Sequence, residues 1–383
     1  MNPAQSPSPM TRLALRNLFH DRVRLVVTLT GIVFALVLIV VQFGLFLGFT
    51  TTISGLIDHS GADLWIGSKH VPYIEQGAPF SERKLYQALA TPGVAAAEKY
   101  ITRFADWKRP DGRHESVQVV GFNPDVGFGG PWDVVTGSVS ELKTADAVLL
   151  DELYREKLGV THLGQVVEIN GHRARVVGFT RGIRSFTTSP YVFTSFKNAQ
   201  NYARLREDQT NFILVQAKPG VNLPALKRAL AARLTDVDVF TSAEFSRMTR
   251  FYWMFSTGAG VAVLLAAVLG LVVGVVVVAQ TIYASTVDHL REYGTLKAMG
   301  ATNAYLYGVI IQQAVISAVM GYGLGIVAGW FVVRGSREGG AAILLPWPMA
   351  VGMFGLTLLM CVGASVVSIQ KVTRLDPAMV FKG

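Results

Sequence analysis

The sequence predicts an α-helical membrane protein with four transmembrane helices and a large α+β extracytoplasmic (periplasmic) domain, in two subdomains, inserted after the first helix. Three observations carry that expectation. The 383 residues are 51% hydrophobic and only 16% charged, with a mean hydropathy of +0.38, whereas soluble domains carry roughly 25% charged residues. Four segments reach the roughly 20 apolar residues needed to cross the hydrocarbon of a bilayer. The segment between the first and second of them, residues 50–252, carries most of the charge and mixes helix, strand and turn signals.

The elements follow in order. Residues 1–24 read as a cytoplasmic segment, Pro- and Ser-rich at first and then an amphipathic helix with Arg12, Arg16, Arg22 and Arg24. Residues 25–49 form the first span. Its apolar run of about 25 residues exceeds the roughly 7–15 of a signal-peptide core, so it reads as an uncleaved anchor. The remaining spans are 253–283, 304–333 and 346–370, joined by a connector at 284–303 and a loop at 334–345, with a tail at 371–383. The N-terminal segment, the connector and the tail (Lys371, Arg374, Lys382) carry an excess of Lys and Arg. With four spans all three share one side, and the positive-inside rule makes that side the cytoplasm.

The insert has local signals of its own. Ser81 is a candidate cap for a helix with Leu85 and Leu89 on one face, stopped by Thr91-Pro92-Gly93. Asn222 is a candidate cap for a second helix with Pro224 in its first turn. Strands over Val166–Ile169 and Arg173–Phe179 flank Asn170-Gly171, a pair suited to a turn with two positive φ values. Residues 61–69 form an opening strand. Tyr73, Phe80, Trp107 and Trp132 read as core residues or as the lining of a substrate or adaptor surface.

Several function classes are excluded. The +9 net charge is concentrated beside apolar spans, which is a topology signal and not a nucleic-acid footprint. No G-x-x-x-x-G-K-[ST] loop occurs, so ATP hydrolysis by this chain alone is not expected. H-E-x-x-H and G-x-S-x-G are absent, the seven histidines are scattered, and the single cysteine, Cys361, lies in a span. No catalytic, cofactor-binding or metal residues are therefore assigned. The span interiors hold Gln42, Gln280, Gln312 and Gln313 but no central ionisable group, which disfavours an ion or proton pathway and points to bonding between helices. Gly270 and Gly274, and Gly321, Gly325 and Gly329, recur every four residues, the spacing that lets helix backbones approach closely in lipid.

The connector, "TVDHLREYGTLKAMGATN", places Val287, Leu290, Tyr293 and Leu296 on one broad helical face. Asp288, Arg291, Glu292 and Thr295 lie opposite, with Asp288 able to pair with Arg291. Gly300 is placed to end the helix and turn the chain into the third span. Such a helix, tied to two spans, can transmit the displacement of a bound partner into the membrane.

"REYGTLKAMGA" resembles the signature of the FtsX-like permeases, the MacB-type membrane subunits of ABC systems, through Arg291, Glu292, Gly294, Lys297, Ala298, Gly300 and Ala301. "LALRNLFHDRVRLVVTLTGI" (residues 13–32) resembles the family's N-terminal helix, and "RLDPAMVFKG" (374–383) its cytoplasmic tail. The layout of one span, a large domain and three spans also matches. The chain is most similar to the DevC-like branch, which lacks a fused ATPase.

The resemblance implies a homodimer with a separate ABC ATPase docking on the coupling helix, so that ATP is bound by the partner subunit. Leu290, Tyr293 and Leu296 join the signature residues in that helix. It further implies a periplasmic membrane-fusion adaptor, an outer-membrane exit duct and contact with membrane lipids. The implied function is ATP-driven export of a hydrophobic, lipid-like or peptide substrate by mechanotransmission. Lipoprotein release of the LolC-like kind, and FtsX-like signalling to a cell-wall hydrolase, are the alternatives.

Overall fold

The computed structural model describes residues 18–186, 189–336 and 342–373, without the side chains of 290, 291 and 368–373. The expected amphipathic helix before residue 18, the centre of the 334–345 loop and the tail from 374 lie outside the described residues. The chain forms two compact units, one spanning Gly48–Val261 and the other holding the long apolar helices.

The membrane unit begins with α1 (Arg22–Thr52). Asp21 opens it by accepting the Arg24 amide at 3.2 Å through Oδ1. In the inserted domain follow α2 (Gly55–Asp58), β1 (Leu64–Ser68), β2 (Phe80–Ser81), α3 (Lys84–Leu89), β3 (Val94–Lys108) and β4 (His114–Phe122). Then come β5 (Val134–Thr136), β6 (Ala147–Asp151), α4 (Arg155–Leu158), β7 (Val166–Ile169), β8 (His172–Thr180), β9 (Tyr191–Ser195) and α5 (Phe196–Tyr202). The domain closes with β10 (Gln209–Thr210), β11 (Phe212–Ala217), α6 (Leu223–Arg233), β12 (Val237–Thr241) and α7 (Ser242–Phe251). The chain then re-enters the membrane unit through α8 (Ala259–Asp288), α9 (Leu290–Ala298), α10 (Asn303–Gly335) and α11 (Trp347–Thr373).

Helices α1, α8, α10 and α11 are long and apolar enough to cross a bilayer, in agreement with the four-span expectation. The sequence starts the second span at Trp253, but α8 starts at Ala259. Residues Tyr252–Ser256 form a separate π-helical turn, and Gly258 takes φ +75°, which breaks the helix before the apolar run begins.

The strands of the inserted domain run in the order β12-β1-β11-β3-β4-β9-β6-β8-β5, with β7 pairing both β3 and β8. Two lobes share the 15-residue β3, so they are not separate sheets. Its first half, from Val94 to Tyr100, pairs with β11, and its second half, from Ile101 to Lys108, pairs with β4. Period-2 alternation sorts the first lobe: Leu64 and Ile66 face the core under α3 and α6, while Trp65 joins Tyr100, Phe212 and Phe245 on the other side. The second lobe packs Ile101, Trp107, Val119 and Leu150 against Ala199 and Tyr202 of α5.

The hairpin signal is realised in β7 and β8, where Asn170 and Gly171 take φ +50° and +85°. Asn222 caps α6 by accepting the Ala225 amide at 3.0 Å. Ser81, by contrast, does not cap α3. It pairs with Gln209 in the small β2–β10 ladder, and Arg83 occupies the cap position.

Candidate coupling site

The connector folds as a bent continuation of α8. The chain turns at His289, whose Nδ1 lies 2.7 Å from the Ser285 carbonyl, and α9 resumes at Leu290. A Schellman motif ends α9: the Gly300 amide donates to Lys297 O at 3.1 Å, and the Ala301 amide donates to Leu296 O at 3.0 Å. Gly300 carries the φ of +93° that this motif demands, a conformation costly for a residue with a Cβ. Thr302 then opens α10 by accepting the Tyr305 amide at 3.3 Å.

Packing gives α9 two faces. Tyr293 is 1% exposed and packs with Leu306, Val309 and Ile310 of α10, joined by the half-buried Leu296 and Ala301. Its hydroxyl donates to Gln313 Oε1 at 2.8 Å. Burial, with Glu292 next to it, pushes the phenol above its ordinary range and keeps it a donor. Gly294 is also buried and Lys297 is half-buried. Glu292, Thr295 and Ala298 are exposed at i, i+3 spacing, and Met299 projects beyond them at 72% exposure. The exposed face is therefore short, begins with a carboxylate and ends in a flexible apolar side chain.

The expected pairing of Asp288 with Arg291 falls on a side chain outside the described residues. Asp288 meets Arg24: Arg24 Nε lies 3.0 Å from Asp21 Oδ2 and 3.5 Å from Asp288 Oδ2. The three groups are a third to a half exposed, so the pairing contributes less than about 1 kcal/mol. It does link the first turn of α1 to the last turn of α8, directly before α9.

The span glycines meet α1 on two sides. A Cβ on Gly321 or Gly325 would lie 2.5 Å from Ile32 or Leu36, and one on Gly329 would lie 3.4 Å from Val40. On α8, a Cβ on Gly274 would lie 2.8 Å from Ile39, and one on Gly270 would lie 2.8 Å from Gln42. Gly31 of α1 returns the approach against Thr281 at 2.6 Å. Helix α1 thus sits between α8 and α10 at distances that larger residues would not allow. Since α8 and α10 also flank α9, this short helix and the glycine ladder belong to one packed assembly.

The aromatic residues singled out in the insert divide. Trp107 is core, its indole N–H donating to Leu158 O at 3.1 Å, and Phe80 packs against the α3–α6 core. Trp132 stacks on His59 with ring centroids 4.1 Å apart, and Tyr73 stacks on Tyr252 at 4.2 Å. An open groove of about 460 Å³ runs between Glu82, Glu98, Lys99, Phe196 and Glu207, but its charges are paired across it: Lys99 with Glu82 at 2.7 Å, Lys197 with Glu207 at 2.8 Å. Sequence reasoning missed the Tyr293–Gln313 and Arg24–Asp288 links. The residue types were visible, but which side chains meet depends on the bend at His289 and on helix rotation.

Comparison with known proteins agrees with this layout. Residues 25–233 match the family model of the MacB-like periplasmic core domain, and residues 243–377 match that of the FtsX-like permease C-terminal region. An ABC transporter permease of Mycobacterium tuberculosis (strain H37Rv) is 27% identical over 381 residues, covering 97% of this chain and 99% of that one. The macrolide export ATP-binding/permease protein MacB of Escherichia coli is 24% identical over 243 residues, covering 61% of this chain and 38% of that protein. The periplasmic region of MacB from Actinobacillus actinomycetemcomitans aligns at a TM-score of 0.39 and 12% identity, over 49% of this chain and 93% of that one. With both family models filling nearly its whole length, the chain belongs to the FtsX-like permeases with a MacB-like periplasmic core domain, and is an ABC transporter permease of the MacB/FtsX-like type.

Proposed function

We propose that this permease is the membrane subunit of an ATP-powered exporter that works by mechanotransmission. A separate ABC ATPase docks on α9 and contributes all of the ATP binding and hydrolysis. Closure of the ATPase displaces α9, and the displacement passes to α10 through the buried Tyr293 and its bond to Gln313. The glycine contacts convert that movement into a shift of α1 and α8, the helices that lead into and out of the inserted domain. The observation that carries this reading is the two-faced α9, locked to α10 on one side and open on the other.

The termini and α9 then lie in the cytoplasm, and the inserted domain outside it. The substrate is hydrophobic, lipid-like or a peptide, and it leaves through a periplasmic adaptor and an outer-membrane duct while two copies of the permease work together. The absence of central ionisable side chains in the four apolar runs supports a route that does not pass between the spans.

The test is co-purification with its cognate ABC ATPase, followed by turnover assays and lipid mass spectrometry of the complex. The permease alone should hydrolyse no ATP, and the pair should do so. Robust turnover by the isolated chain, or a reporter near Pro131 that reads as cytoplasmic, would overturn this assignment.

A further inference from the structure

Glu75 lies in a 3-10 turn, Ile74–Gln76, between β1 and β2, and is 8% exposed. Neither carboxylate oxygen has a hydrogen-bond partner, and among the described residues Glu75 forms no ion pair. The indole N–H of Trp253, itself unpaired, acts on the carboxylate without closing a bond. Two phenols feel its charge: Tyr73 and the buried Tyr191 of β9. Burial outweighs the local N–H groups and pushes this carboxyl up to about 7.

Around it stands an aromatic wall. Tyr73 stacks on Tyr252 with centroids 4.2 Å apart and meets Trp253 edge-on at 5.4 Å. Phe186 packs edge-on against Trp253 at 4.6 Å. These rings are half-buried, so each keeps some accessible surface, while Glu75 is buried.

An ionised, unpartnered carboxylate in such a place costs several kcal/mol, and carboxylates that serve only packing are paired. Its chemistry narrows the partner. An anion is repelled. A metal ion needs more ligands, and among the described residues no group of three or more His, Cys, Asp or Glu is placed to hold one. A cation with an apolar shell needs no hydrogen bonds from the site, because ring faces and one carboxylate satisfy it.

We propose that Glu75, together with the rings of Tyr73, Tyr252 and Trp253, binds the alkylated ammonium group of an amphipathic amine. The carboxylate supplies the opposing charge and the rings supply the cation–π surface. Binding requires the ionised carboxylate, so it is lost as the group is protonated. The inference leans on the exporter reading only for where the ligand goes next. Binding itself belongs to the permease alone.

The test uses the full chain, without its ATPase, in maltoside micelles free of choline lipids, with benzyltrimethylammonium as the probe and titration calorimetry as the readout. This probe keeps its charge at every pH. Wild type should bind it saturably and roughly tenfold or more tighter near pH 8.5 than near pH 5.5. Glu75→Gln should bind weakly with no pH dependence, and Trp253→Leu should bind weakly while keeping it. Equal binding by wild type at the two pH values, equal binding by Glu75→Gln, or no saturable binding by wild type would each overturn the site. If Glu75→Gln fails to fold, the wild-type pH dependence and Trp253→Leu still decide. Failure here leaves the ATPase-coupling result untouched, so the two proposals fail separately.

Discussion

The Tyr293 hydroxyl donates to Gln313 Oε1 at 2.8 Å, so a residue of α9 is bonded to α10 nearly three turns beyond its start. Around that bond the Tyr293 ring fills a pocket made by Leu306, Val309 and Ile310. Helix α9 is thereby anchored to α10 by one buried side chain.

Tyr293→Phe keeps the ring and deletes the bond. We expect normal membrane insertion, a loss of roughly 1 kcal/mol in stability, and a clear fall in substrate-stimulated ATPase activity of the reconstituted pair. Tyr293→Ala also empties the pocket and should cost about 3–5 kcal/mol. Thermal unfolding and ATPase assays on the same preparations separate the two effects.

Glycine position, more than glycine content, should decide tolerance in the spans. Gly325→Leu places its Cβ against Leu36 and should destabilise by about 1–3 kcal/mol or displace α1. Gly352→Leu, where a Cβ meets nothing within 4 Å, should be accepted. Equal unfolding temperatures for the two variants would contradict the ladder.

Gly300 should tolerate Asn better than Val. At φ +93° a β-branched residue is strained by roughly 1–2 kcal/mol, so Gly300→Val should fray the end of α9. Hydrogen exchange over residues 296–303 reads this directly, with faster exchange in the variant.

Glu75 gives a pH dependence whose sign is fixed. Its carboxyl is raised from 4.5 in a free chain to about 7 in the folded protein, so the folded state holds its proton to higher pH. Stability present below about pH 4.5 is lost as pH rises toward and through 7, by an amount on the order of a few kcal/mol. The unfolding temperature of Glu75→Gln should rise relative to wild type across that window, and parallel curves would contradict it.

Much of the fold was legible because local chemistry set it. Four apolar runs, the Asn170-Gly171 hairpin and the Asn222 cap needed no tertiary partner to be recognised. Ser81 misled because a two-residue ladder with Gln209 outcompeted a cap. Gly258 was overlooked because an apolar run hides a left-handed break. At the coupling site, the glycine end of α9 and the helix itself were readable from residues 290–301. The tertiary partners were not, since Gln313 meets Tyr293, Ile32 meets Gly321 and Arg24 meets Asp288 only through packing across the chain. Glu75 was invisible for the same reason: nothing in "VPYIEQGAPF" says that the tertiary fold brings Trp253 to it.

The central claim is that the open face of α9 is where an ATPase binds. It is tested most directly by cysteine cross-linking in a Cys361→Ser background, since Cys361 is the chain's only thiol. Glu292→Cys and Ala298→Cys should each cross-link to the co-expressed ATPase, and Gly294→Trp should abolish both adducts while the permease still inserts. No adduct from either position, or full coupling in Gly294→Trp, would contradict the account.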